Sequence, residues 1–282
     1  MRREPPGERR STREVRVLAV RGTDAVERPD TLAGEEPMAI RAAGPGQDPV
    51  DVAITMRTPG HDEELAAGFL FSEGLIAAAD IDGFELGHPA DVAHPDNEVT
   101  VRLRTRFDAT AVPARSFVAT ASCGICGKAS LDAVALRCPR VSAGPTVGRS
   151  AILGLPAALR AAQAAFESTG GLHAAGLFTP AGETIRVRED IGRHNALDKL
   201  VGAGLLAGEL PLAGRVVLAS GRLSFELVQK AGAAGVPVLC AISAPSDLAV
   251  ETAERLGMTL VGFLRGDGFN VYAGAERIDL GG

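Results

Sequence analysis

The last third of the chain alternates between strand-like and helix-like segments, and this alternation restricts the possible folds more than any other feature. Strands are predicted over Arg215–Ser220, Pro237–Ser243 and Thr259–Leu264, with helices over Ser224–Ala234 and Ser246–Leu256 between them. Such an order implies a parallel sheet with right-handed crossovers, so that the three strands end on the same side of the sheet. The sequence therefore predicts an α/β unit whose strand-end loops converge.

A helix and a hairpin come before this unit. Apolar residues at helical spacing predict a helix that opens at Pro156 and ends at Gly170-Gly171. A hairpin and a further helix follow, over Ala174–Phe178, Thr184–Arg188 and about Arg193 to Val201. We therefore place a C-terminal α/β domain at 149–282.

The first half is predicted to be a smaller α+β domain over 13–103. Its one helix starts near Thr58-Pro59-Gly60-His61-Asp62-Glu63, which combines turn, cap and acidic first-turn signals. Residues 1–12 are predicted to form a disordered basic tail, and 104–148 a mobile connector that carries a cysteine pair. The predicted strands of the first domain are Val15–Val20, Met38–Arg41, Val50–Met56 and Glu98–Leu103.

Composition excludes several classes of protein. A formal charge of −6 over 282 residues argues against nonspecific binding to nucleic acid or to an anionic membrane. Four cysteines do not make a disulfide scaffold, and the first dozen residues lack the apolar core of a signal peptide. No apolar run approaches the roughly 18 residues that a membrane span needs. We expect a cytoplasmic protein that binds neither nucleic acid nor membrane.

The three strand-end loops predict a ligand site. Open α/β sheets bind ligands at the carboxyl ends of their strands, and two of these loops lead into helix N-termini, which favour anions. Arg222 and Arg265 add positive charge. We therefore predict a phosphate-bearing ligand at the loops Ser220-Gly221-Arg222, Ser243-Ala244-Pro245-Ser246 and Arg265-Gly266-Asp267-Gly268.

The segment Asp190-Ile191-Gly192-Arg193-His194-Asn195 lies on the same side as these loops. A helix cap with incidental polar residues explains Asp190 or Asn195 better than it explains Arg193 and His194 together. We interpret the segment as contacting the ligand or orienting the site.

The cysteine pair is Ser122-Cys123-Gly124-Ile125-Cys126-Gly127-Lys128. Two thiols at this spacing can bind a metal, cycle between dithiol and disulfide, or carry sulfur as a persulfide, and the spacing alone does not choose. A four-ligand zinc site is hard to assemble, because Cys138 is the one plausible third ligand and Cys240 lies in an apolar strand. Glycines on both sides permit close approach, and Lys128 supplies positive charge that favours a thiolate.

The order of elements in the second half resembles the cytidine-deaminase layout, a three-layer α/β/α arrangement with a mixed sheet. His194 falls where those enzymes place a zinc-binding histidine. Their chemistry needs His-x-Glu and Pro-Cys-x-x-Cys at two helix starts. Here the corresponding residues are His194-Asn195-Ala196 and Ser220-Gly221-Arg222-Leu223-Ser224, so we expect the fold without its metal.

Six motifs in their order resemble the FdhD family of sulfur carriers, from about residue 15 to the C-terminus. They are Gly68–Gly74, Ser122–Lys128, Gly170–Ala175, Glu189–Lys199, Ser220–Arg222 and Phe263–Arg265 through Asn270–Tyr272. The resemblance implies that a cysteine desulfurase passes its persulfide sulfur to this protein. It also implies that the protein passes this sulfur to molybdenum in bis(molybdopterin guanine dinucleotide), for use by formate dehydrogenase.

The same resemblance assigns residues to roles. It implies Cys123 as the persulfide carrier and Cys126 as an auxiliary thiol. It implies a guanine-dinucleotide segment at Phe263, Leu264, Arg265, Gly266, Asp267 and Gly268, to which we add Ser220, Arg222 and His194. We expect GDP and GMP to mimic the ligand, no structural metal, and a homodimer. Two alternatives stay open: a noncatalytic cofactor chaperone with structural cysteines, and a zinc protein.

Overall fold

The structure is a computed structural model that describes residues 11–87, 97–112, 140–141 and 144–281. Its first half contains a four-stranded sheet of order β4-β3-β6-β5. The strands are β3 (Glu36–Ala43), β4 (Val50–Arg57), β5 (Ile81–Leu86) and β6 (Glu98–Leu103). Helix α1 (Asp62–Ser72) buries Leu65 and Leu70 against this sheet. The predicted α+β character of the first half is thus present.

A separate two-stranded hairpin begins the described chain. Strand β1 (Thr12–Arg21) pairs antiparallel with β2 (Asp24–Ala33). The sequence predicts the first strand but not the second, because Asp24, Glu27, Pro29 and Asp30 are poor strand formers. Thr12 lies in β1, so the predicted tail of 1–12 is wrong at its last residue; residues 1–10 lie outside the described ranges.

The second half is built around a six-stranded sheet of order β13-β12-β11-β10-β8-β9. Strands β10, β11 and β12 are parallel to one another, as the alternation predicts, and the other pairings are antiparallel. A short parallel pair lies beside it, formed by β7 (Val147–Gly148) and β14 (Ile278–Asp279). The strands of the large sheet are β8 (His173–Phe178), β9 (Thr184–Asp190), β10 (Val216–Ala219), β11 (Val238–Ala241), β12 (Thr259–Arg265) and β13 (Gly268–Ala273).

Helices cover both faces of this sheet, because neighbouring residues of each strand point to opposite sides. Val217 and Leu239 pack against α4 (Arg193–Leu206), α5 (Phe225–Ala233) and α6 (Asp247–Leu256). Leu218 and Cys240 pack on the other side, against α2 (Arg149–Ala161). The molecule is therefore a mixed α/β protein. Its more specific likeness to the cytidine-deaminase layout stays a prediction, as do the domain boundaries.

Two predicted boundaries are corrected. Pro156 does not open a helix but lies inside α2, and a second short helix, α3 (Ala164–Thr169), follows. The loop predicted after β12 is a tight turn that leads directly into β13, where Arg265 pairs with Gly268. None of the helices in the described ranges is both long and apolar enough to cross a bilayer.

Buried polar contacts join the two halves. Lys230 of α5 lies 2.9 Å from Glu73, just after α1, and 3.0 Å from Asp198 of α4. Arg188 of β9 donates to Glu64 of α1 at 2.8 Å. The helices α1 and α4 pack directly against each other. The position of the first half relative to the large sheet is therefore set by specific contacts.

Candidate functional site

Cys123 and Cys126 lie outside the described residues, and so do Lys128 and Cys138. Cys240 is fully buried in β11, where burial raises the pKa of its thiol to about 12. A thiol that is neutral and shielded from solvent is a poor nucleophile. Cys240 is thus a core residue, in agreement with its position in an apolar strand.

The predicted strand-end loops do lie together. Leu223, after β10, donates its backbone N–H to Ala244 after β11 at 3.1 Å, and accepts from the N–H of Ser246 at 2.9 Å. The N–H of Phe263 in β12 donates to the carbonyl oxygen of Ser243 at 3.1 Å. These bonds bring the carboxyl ends of β10, β11 and β12 into one continuous edge. Because β9 runs parallel to β10, Asp190 ends at the same edge.

The tip of the β12–β13 hairpin extends beyond this edge. Strand β11 pairs with β12 only as far as Val261, so that the rest of β12 projects past its neighbour. Phe263 has a positive φ of 52° at an irregularity in the ladder, which is a strained conformation for an aromatic residue. The guanidinium of Arg265 lies 5.4 Å from the Phe263 ring centroid. Strain at a projecting, cationic tip is consistent with a binding role.

The members of this segment differ in exposure. Arg265, Gly266, Asp267 and Gly268 are exposed, whereas the Leu264 side chain is 1% exposed and belongs to the core. Only the backbone of Leu264 can therefore contact a ligand. The assignment of the segment to a cofactor stays a prediction.

His194, at the start of α4, interacts with the loop after β10. Its Nε2 lies 3.2 Å from the hydroxyl of Ser224 and 3.1 Å from the carboxylate of Glu226. Ser224 makes no capping bond to α5 and donates instead to Glu226 at 3.0 Å. The protein thus supplies its own negative charge at the start of α5. Positive charge for a ligand must come from elsewhere on the edge, where Arg222 is exposed.

Asp190 and Asn195 are buried side chains that hold this segment in place, while its interpretation as contacting the ligand or orienting the site stays a prediction. Asp190 is fully buried and accepts from the backbone N–H of Thr58 at 3.1 Å and from Lys199 Nζ at 2.7 Å. The Asn195 amide donates to Asp190 at 3.0 Å and to the carbonyl of Met56 at 2.8 Å. These two residues join the site edge to the first half.

His173, at the start of β8, is a site residue that sequence reasoning missed. Its Nδ1 lies 3.5 Å from the Ser220 hydroxyl. Burial, together with the nearby charge of Arg193, lowers the pKa of His173 and so disfavours the charged form of the ring. Gly221 approaches this ring closely, since a Cβ there would lie 3.4 Å from it. In the sequence, His173 belongs to the motif Gly170–Ala175 and directly precedes the predicted strand Ala174–Phe178, but no role is assigned to it there. The pairing of β8 with β10 is what brings it to Ser220.

A metal site is not apparent in the part of the chain that the structure describes, where no three His, Cys, Asp or Glu side chains converge. The expectation of no structural metal depends on cysteines outside these ranges and stays a prediction.

Comparison with known proteins gives consistent matches over most of the chain. The model of the FdhD/NarQ family matches residues 33–279. The chain is 50% identical over 278 residues to the sulfur carrier protein FdhD of Streptomyces coelicolor, covering 96% of this chain and 97% of that protein. It is 46% identical to the protein of the same name from Mycobacterium tuberculosis, with 95% and 99% covered.

A more distant relative from an archaeon and a solved structure extend the comparison. The sulfur carrier protein FdhD of Sulfurisphaera tokodaii is 43% identical, with 94% of this chain and 98% of that protein covered. The crystal structure of a putative formate dehydrogenase accessory protein from Desulfotalea psychrophila aligns with a TM-score of 0.75 and 24% identity, covering 95% of this chain and 100% of the other. At that identity the match supports the fold alone.

Proposed function

This chain belongs to the FdhD/NarQ family, and from that membership we propose that it is a sulfur carrier required for the activity of a formate dehydrogenase. The observation that carries the proposal is the near-complete match to relatives named sulfur carrier proteins, at identities up to 50%. The pair Cys123 and Cys126 gives this role a chemical basis, because a thiolate is the group that accepts sulfur from a persulfide.

The proposed reaction is a sulfur-to-sulfur displacement. The Cys123 thiolate attacks the outer sulfur of a persulfide on a cysteine desulfurase, a new S–S bond forms, and the desulfurase cysteine leaves as its thiolate. Sulfur is transferred without a net change in the number of S–S bonds. Cys126 is the auxiliary thiol. Release of the terminal sulfur as sulfide needs two electrons, which the pair supplies when the Cys126 thiolate attacks the inner sulfur of the Cys123 persulfide: the persulfide S–S bond breaks and a Cys123–Cys126 disulfide forms. The sulfide binds molybdenum, a metal that the cofactor already holds through soft sulfur ligands, and a thiol reductant restores the dithiol.

The proposed acceptor is bis(molybdopterin guanine dinucleotide), bound as substrate at the exposed hairpin tip. Arg265 and Arg222 are exposed cations on one edge of the sheet, and Gly266 and Gly268 permit close approach of phosphate groups to the backbone. Formate dehydrogenase receives the completed cofactor. We further propose a homodimer, which a measurement of mass in solution would test.

Intact-mass measurement tests the carrier role. After incubation with a cysteine desulfurase and cysteine, we expect the mass of the wild-type protein to increase by that of added sulfur. The mass of the Cys123→Ala variant should not increase. Cys240→Ala is the matched control, because Cys240 is fully buried, and it should accept sulfur as the wild type does. A Cys123→Ala protein that still restores formate dehydrogenase activity in cells would favour the noncatalytic chaperone instead.

Thermal protection by GDP tests the ligand site separately. We expect GDP to raise the melting temperature and Arg265→Ala to abolish the increase. Arg215→Ala is the matched control, since Arg215 is exposed just before β10 at the opposite edge of the same sheet. Equal protection of the Arg265 variant and the wild type would contradict the proposed placement.

A further inference from the structure

Three polar side chains converge where the start of α4 meets the start of α5. His194 Nε2 lies 3.2 Å from the Ser224 hydroxyl oxygen and 3.1 Å from a carboxylate oxygen of Glu226, and those two oxygens are 3.0 Å apart. The side chains of His194 and Glu226 are each 19% exposed, so solvent reaches them. The three atoms thus form a nearly equilateral triangle, which we call the helix-start triangle.

Hydrogen bonding alone does not account for all three sides of the helix-start triangle. The Ser224 hydroxyl has one proton, which it donates to Glu226. His194 Nε2 carries at most one proton, and an ionised carboxylate carries none. Two protons therefore serve three short contacts. A cation at the centre of the triangle would instead accept a lone pair from each of the three atoms.

The Ser224 hydroxyl is directed to this triangle instead of to the helix end. Ser224 occupies the N-cap position of α5, but its side chain makes no bond to the helix backbone. Ser246, at the same position of α6, caps its helix and accepts from the N–H of Ala249 at 3.2 Å. A serine cap stabilises a helix by about 1 kcal/mol. The geometry at the start of α5 therefore favours the triangle over a stabilising cap.

The next turn of the same two helices contains a second polar layer. Asp198 follows His194 by one turn of α4, and Lys230 follows Glu226 by one turn of α5. The Lys230 ammonium lies 3.0 Å from Asp198 and 2.9 Å from Glu73, so it is engaged by two carboxyl groups of this inner layer. The two layers together contain three carboxyl groups and one ammonium. A divalent cation in the outer layer would offset this excess of acidic groups.

The size of the triangle indicates the kind of ion that fits it. With sides of 3.0 to 3.2 Å, an ion about 2.2 Å from each atom would have its ligands at close to 90°, the octahedral angle. That distance lies between the bond lengths of Mg²⁺, about 2.0–2.1 Å, and Ca²⁺, about 2.3–2.6 Å. A donor set of imidazole, carboxylate and hydroxyl without a thiolate suits a divalent ion of intermediate size such as Mn²⁺.

We propose that His194, Ser224 and Glu226 bind an exchangeable octahedral divalent cation of the Mn²⁺ class. Two of these ligands are a histidine and a glutamate, and a serine hydroxyl completes the set. The three ligands occupy one face of the octahedron, and water fills the three positions on the open face. The bound ion places positive charge at the start of α5, where the Glu226 carboxylate alone places negative charge. This site is separate from the cysteine pair and does not depend on sulfur transfer.

Titration of the full-length protein with Mn²⁺ tests this site. Free aqueous Mn²⁺ gives a sharp electron paramagnetic resonance signal that is lost when the ion binds to protein. We expect the wild type to bind one equivalent of Mn²⁺, and His194→Ala and Glu226→Gln each to weaken binding at least tenfold. Ser224→Ala removes a neutral ligand and should weaken binding by a smaller factor. Thermal melting without Mn²⁺ shows whether each variant is folded.

Glu251→Gln is the matched control, because it removes an exposed carboxylate on α6, and this variant should bind Mn²⁺ as the wild type does. Mn²⁺ favours oxygen ligands over thiolates, so the measurement does not report on the cysteine pair. Failure of the wild type to bind Mn²⁺ would overturn the proposal. Unchanged affinity in any of the three variants of the helix-start triangle would overturn this set of ligands.

Discussion

Gly68 of α1 lies directly against the carbonyl oxygen of Asp198 in α4, so closely that a Cβ at Gly68 would overlap it. The reciprocal contact is just as close, because a Cβ at Gly202 of α4 would overlap the carbonyl oxygen of Glu64 in α1. Neither obstacle is a flexible side chain; both are helix backbone. The two glycines therefore set the distance between the halves of the molecule.

We expect Gly68→Ala and Gly202→Ala each to destabilise the protein by about 1–3 kcal/mol or more, because the helices must separate to admit a methyl group. Gly154→Ala is the control. Gly154 is exposed inside α2 with no atom near its would-be Cβ, so alanine should be neutral or stabilise the helix by up to about 1 kcal/mol. Urea unfolding measures the stability of the three variants. If Gly68→Ala and Gly202→Ala were as stable as the wild type, the close contact between α1 and α4 would be refuted.

Removal of the buried charge at Asp190 should affect stability rather than ligand affinity. Asp190→Asn leaves Lys199, which is 1% exposed, without its anionic partner, and loss of one member of a buried pair costs about 3–5 kcal/mol. Combining it with Lys199→Met should recover much of that loss. Asp82→Asn, which removes an exposed pair with Arg104, should cost no more than about 1 kcal/mol.

Acid should weaken the contact between Glu64 and Arg188. Burial opposes ionisation of Glu64, but hydrogen bonds from Arg188 and His61 outweigh it and lower the pKa from 4.5 to about 2. The pKa of Glu64 is lower in the folded than in the unfolded protein. This stabilisation is therefore complete above about pH 5 and is lost as the pH falls toward 2.

Glu64→Gln should therefore remove on the order of 1–3 kcal/mol at neutral pH and flatten the dependence of stability on pH between 5 and 2. Urea unfolding at a series of pH values measures this. Glu85→Gln is the control: Arg102 also lowers the pKa of Glu85, but this pair is exposed and screened by solvent, so its removal should flatten the slope less. An unchanged slope for Glu64→Gln would show that the contact does not contribute.

Cys240 should not react in the native state. Its thiol is fully buried, and burial raises its pKa to about 12, so alkylation at pH 8 should label Cys240 only after denaturation. Peptide mapping after iodoacetamide treatment measures the label. Rapid native labelling of Cys240 would show that β11 opens to solvent, and sulfur found on Cys240 would argue against Cys123 as the carrier.

The regular second half could be predicted well from sequence because its signals are local. Apolar runs and turn residues indicate β10 to β12 and the helices between them, and parallel pairing then follows from chain direction. The contacts of Asp190 could not be predicted, for the opposite reason. Its partner Thr58 lies 132 residues away, and no local pattern shows that the two halves meet there.

The site was only partly predictable for the same reason. The strand-end loops follow from topology, but Leu264 in the core and His173 at the edge depend on pairing register. Gln163 is an ordinary polar residue in the sequence; only the packing of α2 and α3 leaves its amide nitrogen buried with no hydrogen-bond partner among the described residues. The position of Cys123 relative to this edge stays a prediction.

The buried contacts of Glu73, Lys230 and Asp198 also bear on how the chain can be divided. Either half made as a separate fragment would present charged groups and glycine-lined helix backbone that have no complement in water. Two such fragments, produced together, should therefore associate and complete each other's fold. Exchange of one half with that of a relative should succeed only where both helix surfaces are transferred as a matched pair.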